Sequence, residues 1–291
     1  MSELLVPFEY GYMLKAIWVS ALIGAVCAFL SVYLMLKGWS LMGDALAHAV
    51  VPGVAAAYLL KVPYAAGAFF AGLLAAGAMV LVKRVTALRE DAVIGIVFSG
   101  FFAAGLFAAS INPISVNIQT IVLGNILGIS DSDAIQVVII GVVTLAILGL
   151  RWKDLMLVFF DETQARAVGI NPVRLSILFF VLLSASTVAA LQTVGACLVI
   201  AMVVTPGATA YLLTDRFGRL IWIAVAIGSI SGAAGAYISY FLDGATGGVI
   251  VVLQTTVVLL AFLFAPKHGL VASRRLAANA RAEAMAREVA R

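Results

Sequence analysis

Gly43-Asp44-Ala45-Leu46-Ala47-His48-Ala49-Val50-Val51-Pro52-Gly53 lies inside an apolar segment that runs on to Leu60. An acid and a histidine four residues apart stand on one face of a helix, one turn from each other. An aspartate at the centre of a membrane span costs about 2.5–3.5 kcal/mol on insertion scales, so such a pair calls for a partner or a task. Pro52 and Gly53 follow at once. Proline cannot donate the helix hydrogen bond and crowds the preceding turn, and glycine lets the chain bend. The stretch predicts a kinked or broken transmembrane helix with a candidate cation site at the break. Interrupted helices of this kind line substrate paths.

The flanking sequence sets the class. Of 291 residues, 64% are apolar and 11% charged, and the mean hydropathy is +1.15. These values exclude a soluble globular domain and point to an all-α, polytopic transmembrane bundle. Nine spans are predicted, near 16–36, 41–60, 62–82, 92–111, 134–150, 175–191, 194–213, 220–242 and 247–265, or eight if the short segments merge. The second, fifth and sixth are short or polar. Residues 112–133 are too polar to span, yet Ile118-Gln119-Thr120-Ile121-Val122-Leu123 is too apolar for an open loop, which predicts a re-entrant or interfacial helix. The longest stretch without a span is 151–173. Residues 1–270 read as one transmembrane domain and 271–291, rich in Ala, Arg and Glu, as a cytoplasmic tail near anionic lipid. Glu3 and Glu9 precede any basic cluster, so no cleavable signal peptide is expected.

Charge orients the bundle. On the nine-span map one side holds Lys37, Lys83, Arg84, Arg89, Arg151, Lys153, Arg166, Arg174, Arg216, Arg219, Lys267 and the five tail arginines, 16 of the 18 basic residues. The other keeps Lys15 and Lys61 among Glu3, Glu9, Asp131, Asp133 and Asp243. The basic side is expected to be cytoplasmic, with the N-terminus outside. The net charge of +4 comes from this loop asymmetry and is not read as affinity for nucleic acid. Gly228, Gly232 and Ala236, four residues apart, predict a close helix crossing.

The chemistry available is narrow. There is no G-x-x-x-x-G-K-[ST] loop for ATP and no H-E-x-x-H motif. Only two histidines exist, His48 and His268, so one chain cannot build a His-rich cage. Cys27 and Cys197 lie in apolar spans and read as small buried thiols. Asp44 and His48 are therefore the candidate metal ligands. Carboxylate with imidazole suits Mn, Fe(II) or Zn. Two ligands are few, which suits an ion that must leave again, and two copies meeting on an axis would offer four ligands and a charge of −2. The alternative is structural: Asp44 caps the helix while His48 bonds a nearby carbonyl. In a second stretch, Phe159-Phe160-Asp161-Glu162-Thr163-Gln164-Ala165-Arg166-Ala167-Val168-Gly169-Ile170-Asn171-Pro172, Asp161 is a good N-cap and Gly169 a good stop. The resulting helix of about two turns is too short to stand alone, so it docks on a partner or lies on the membrane. Asn112, Asn117, Gln119, Asn125, Gln192, Thr193, Thr205, Gln254, Thr255 and Thr256 read mostly as interhelical hydrogen bonds. Pro206-Gly207 predicts a second kink, and His268 reads as a helix-end residue.

Met42 to Gly53 resembles the "GD-[AS]-[LI]-x-H-[AS]-x-x-PG" stretch of permeases of metal-ion ABC importers, the manganese/zinc/iron class. The loop from Phe160-Asp161 to Gly169-Ile170, the Gly195 to Gly207 run and Ala265-Pro266-Lys267-His268-Gly269 are also similar, so the resemblance covers nearly the whole chain. It implies that Asp44 and His48 ligate the metal in the translocation path. It also implies that Asp161, Glu162, Ala165 and Gly169 belong to the coupling helix that contacts the ATPase. The implied assembly has two permease subunits, identical or paralogous, two cytoplasmic ATPases and an extracytoplasmic metal-binding protein, in the bacterial inner membrane. The metal is substrate, with no permanently bound cofactor. Asn112 to Asn117 and Leu123 to Ser130 look more like the manganese/iron members than the zinc ones. A proton-coupled secondary transporter is the other functional reading, but it would need intramembrane acids beyond Asp44 to relay protons.

Overall fold

Backbone polar groups in hydrocarbon must be satisfied within their own segment, so a chain this apolar folds as helices. The computed structural model describes residues 5–39, 41–111 and 126–265. After a short turn α1 (Val6–Glu9), the order is α2 (Gly11–Lys37), α3 (Met42–Ala49), α4 (Val51–Leu60), α5 (Tyr64–Val85), α6 (Glu90–Ile111), a 3-10 turn Ile126–Gly128, α7 (Asp131–Phe160), α8 (Glu162–Ala167), α9 (Pro172–Val194), α10 (Ala196–Leu213), α11 (Phe217–Leu242) and α12 (Thr246–Phe264). Among the described residues, eight helices are long and apolar enough to cross a membrane, α3 and α4 together forming one of them. All nine expected segments are helical. The one outside the eight is α10, whose apolar stretch, Leu198–Leu213, is shorter. The segment expected to be re-entrant lies largely outside the described residues, as do the tail and His268.

One boundary differs from the sequence reading. The helix of the fifth span does not end near 150: α7 runs 30 residues to Phe160. At 1.5 Å per residue that is about 45 Å, well beyond a hydrocarbon core of roughly 30 Å. Charge ends a span but does not end a helix. Arg151 pairs with Asp154 one turn on at 2.9 Å, and Lys153 stands over the Trp152 ring. The segment between spans is accordingly shorter than 151–173 and consists of α8 with its caps.

Helix α2 is the central post, packed on α7, α9, α10 and α11. Its crossing with α11 uses the expected small residues. A Cβ on Gly228 would overlap the Gly24 carbonyl, and one on Gly232 the Ser20 carbonyl. Ser229 Oγ donates to the Ala21 carbonyl oxygen at 3.2 Å, and Gln254 Nε2 to Ser231 Oγ at 3.0 Å, holding α12 against the same helix. Pro206 does not interrupt α10. Ser31 Oγ of α2 donates to the Val204 carbonyl at 3.1 Å and accepts the Gly207 N–H at 2.9 Å, replacing locally what the proline disturbs.

The helix pair that carries Asp44 and His48 is held by the same device. Gly53 of α4 faces Gly67 of α5 so closely that a Cβ on either would overlap the other's carbonyl, and Gly105 of α6 lies against Val51 and Pro52. Gly53→Val should therefore force α4 from α5, a backbone-on-backbone clash that no rotamer relieves. The expected result is a several-fold loss of monodisperse protein in detergent by size-exclusion chromatography, whereas Gly77→Val, with open space at its Cβ, should leave the yield unchanged.

Candidate metal site

Within α3, Met42, Gly43, Ala45, Leu46, Ala47 and Ala49 are buried, and the next residue, Val50, is buried as well. Asp44 and His48 are the two that are not, with side chains 36% and 32% exposed. The apolar residues of α3 thus pack inward on α5, α6, α9 and α10, and the polar pair is left half-buried. On a membrane span such a pair cannot be left to lipid.

His48 Nδ1 lies 3.0 Å from Asp44 Oδ1 and 3.1 Å from the Asp44 carbonyl oxygen. Both neighbours are acceptors, so Nδ1 is the donor of this contact. The helix breaks at Val50, just beyond His48, and Pro52 has no N–H to give the His48 carbonyl. The N-cap of α3 is Leu41, without a side-chain cap bond; Asp44 sits in the first turn instead. The carbonyl contact foreseen for His48 in the structural alternative does form, to Asp44 itself. Among the described residues no three of His, Cys, Asp and Glu come together.

The short helix after α7 forms as its caps dictate. Asp161 Oδ1 accepts the Thr163 and Gln164 N–H groups at 2.8 and 3.0 Å. At the other end Gly169 takes φ +85°. Its N–H donates to the Arg166 carbonyl at 3.0 Å, and the Ile170 N–H to the Ala165 carbonyl at 2.9 Å. This crossed pair of bonds is the Schellman stop, which needs a residue at ease with positive φ. Ala165 is fully buried, while Asp161, Glu162 and Gly169 are exposed. The helix therefore rests on the bundle by Ala165 and offers its polar side outward. Glu162 lies 3.7 Å from Lys37 Nζ at the end of α2 and 3.9 Å from Arg166. Beside it, Glu90 at the start of α6 accepts from the Trp39 indole and pairs with Lys83. Trp39 in turn meets Phe159 and Phe180 at 5.8 and 5.6 Å. Among the described residues, Lys37, Lys83, Arg151 and Arg166, all grouped on one side from sequence, pair with acids of that same end, and Lys15 pairs with Asp131 at the other.

The model of the ABC 3 transport family matches residues 9–265. The chain belongs to the ABC 3 transport family. It is 71% identical over 275 residues to the chelated iron transport system membrane protein YfeC of Yersinia pestis, covering 94% of each chain. It is 50% identical to the manganese transport system membrane protein MntB of Synechocystis, covering 91% of this chain and 87% of that one. Among solved structures, PsaBC from Streptococcus pneumoniae in complex with Fab superposes with a TM-score of 0.82 at 32% identity, over 92% of this chain and 97% of that one. Both the Asp44–His48 stretch and α8 lie inside the ABC 3 match.

Two arrangements around the pair escaped the sequence reading. Phe98 and Phe102 of α6 stand against the His48 ring at 5.5 and 5.6 Å. Their four-residue spacing in a span is a visible signal, but so are many such aromatic pairs. Glu90 was equally legible as a residue at the start of α6, and its bonds to Trp39 and Lys83 were not, since they join residues 51 and 7 positions apart, one in the turn after α2 and one on α5. Of the polar span residues singled out, Gln254 makes the expected interhelical bond, whereas Thr256 bonds back to its own helix at Val252.

Proposed function

We propose that this chain is the permease subunit of an ATP-driven importer of a divalent transition metal, manganese or iron in preference to zinc, working by alternating access. The observation that carries the reading is the polar pair of α3: the one acid and the one imidazole of an otherwise buried, apolar helix stay half-exposed, 3.0 Å apart, beside a helix break. A second permease, identical or paralogous, facing the first across an axis would enclose the pair. Two aspartates and two histidines then supply four ligands and the −2 charge that neutralises a divalent ion. The relatives named for chelated iron and for manganese support the choice of metal.

In this assembly the basic end is cytoplasmic and α8 is the seat of an ATPase, one on each permease. Movement of α8 would reach the metal site through contacts already described: Glu162 to Lys37 at the end of α2, the aromatic cluster from Phe159 to Trp39, and Trp39 to Glu90 at the foot of α6, the helix that flanks His48. An extracytoplasmic binding protein delivers the ion to the opposite end. The ion sheds water on entering a path of low dielectric, and the small ligand set lets it go again.

The test is uptake of Mn(II) or Fe(II) into vesicles holding the permease and its ATPase, with the binding protein supplied on the loading side. Uptake should require ATP and persist when proton gradients are collapsed. Accumulation driven by a pH gradient without ATP would overturn the reading.

A further inference from the structure

We propose that Phe98 and Phe102 are positioning residues for the metal site: they hold the His48 imidazole beside the Asp44 carboxylate, so that the two donor groups stay together. The inference rests on the metal-ligand reading of Asp44 and His48.

The geometry is that of a wall. The two phenyl rings sit four residues apart on α6, stacked nearly parallel with an interplanar angle of 10° and centroids 5.9 Å apart. Both meet the imidazole nearly at right angles, at 88° and 78°. Edge-to-face contact is the favoured arrangement of aromatic pairs, and it constrains ring direction as well as ring position. His48 needs such a constraint. It lies in the last turn of an eight-residue helix, it is a third exposed, and its imidazole has other staggered rotamers open to it. The bond to Asp44 alone does not hold it, because Asp44 is itself as exposed. In the rotamer seen, Nδ1 lies on the carboxylate. A swing about the Cα–Cβ bond would carry both nitrogens away from Asp44 and separate the two ligands.

The wall is placed from elsewhere in the fold. Gly105, one turn beyond Phe102, lies against Val51 and Pro52, which fixes the distance between α6 and the break after His48. At the start of α6, Glu90 is bound by Trp39 and Lys83. Eight residues, about 12 Å, separate Glu90 from Phe98. The rings are therefore held along α6 from both sides and can act as a fixed template for His48.

The experiment measures equilibrium binding of radioactive Mn(II) to the purified full-length permease in detergent, with ATP-dependent uptake by the complete transporter alongside. The variants are Phe98→Leu, Phe102→Leu, the double Leu variant, and Phe98→Tyr and Phe102→Tyr. Asp44→Asn and His48→Ala serve as references. Loss of the wall should raise the Mn(II) concentration for half-saturation about tenfold in the double Leu variant, the scale on which loss of an outer-shell partner acts. Maximal uptake at saturating metal should stay near wild type, and each Tyr variant, which keeps its ring, should bind as wild type does. If Leu at these positions prevents folding, Met, a flexible side chain of similar bulk, carries the same comparison. Leu or Met variants that bind Mn(II) like wild type, while Asp44→Asn and His48→Ala do not, would overturn the positioning role and leave the site intact. Equal losses in Leu and Tyr variants would also overturn it, since they would mark a packing defect. Wild-type binding by Asp44→Asn and His48→Ala would instead remove the metal-ligand reading on which the inference rests.

Discussion

Asp44→Asn should all but abolish ATP-dependent metal uptake while leaving folded permease in the membrane at the wild-type level. Asparagine keeps the size and the acceptor oxygen of aspartate but removes one negative charge per subunit. A dehydrated divalent ion in a low-dielectric path depends on that charge. The loss should exceed the roughly 10–100-fold that removal of an outer-shell partner costs a metal site, because on the proposed reading the charge lost is that of a direct ligand. His48→Ala should act as strongly by deleting the nitrogen donor. The Asn variant discriminates best. Asn serves as a helix cap about as well as Asp, so a purely structural aspartate would be replaced almost without consequence. Radioactive Mn(II) uptake into vesicles, normalised to permease content, decides the matter, and near-normal uptake by Asp44→Asn would remove the pair from the transport path.

The second large effect is expected at a residue that touches no ion. Gly169→Val places a β-branched side chain at φ +85°, where ordinary L-residues lose about 1–2 kcal/mol and β-branched ones more. There is open space around a Cβ at this position, so the penalty is one of backbone alone. To relieve it, the Schellman stop must open, and with it the end of a helix only six residues long. Co-purification of the ATPase and ATP-dependent uptake should both fall by about tenfold or more, which is what 1.4 kcal/mol corresponds to. Mn(II) binding to the isolated permease should not change. Gly169→Asn should be close to wild type, because asparagine tolerates the left-handed region. A Val variant that retains its ATPase and transports normally would argue against α8 as the docking element.

Nearly all of the fold was legible because a membrane leaves a chain few options. Composition and the length of each apolar run predicted the long helices among the described residues, and the charge grouping agrees with the ion pairs that form at each end. Caps were equally local: Asp161 and Gly169 act within three or four residues of themselves, so their roles could be written down before any packing was known. The end of α7 was not legible, because hydropathy reports where lipid stops and not where the backbone hydrogen bonds of a helix stop. The partners of Ser31, Glu90 and His48 were beyond reach for another reason. Their contacts join residues 176, 51 and 50 or more positions apart, and in a bundle the rotation of each helix about its own axis decides which faces meet. The sequence by itself determined the class of the protein, its helices, its caps and the two residue types able to hold a metal, since each follows from a side chain and its near neighbours. That Asp44 and His48 stay half-exposed on an otherwise buried helix, and that two phenylalanines from α6 flank the imidazole, was decided only by tertiary packing, because exposure belongs to a surface that exists only once the helices have come together.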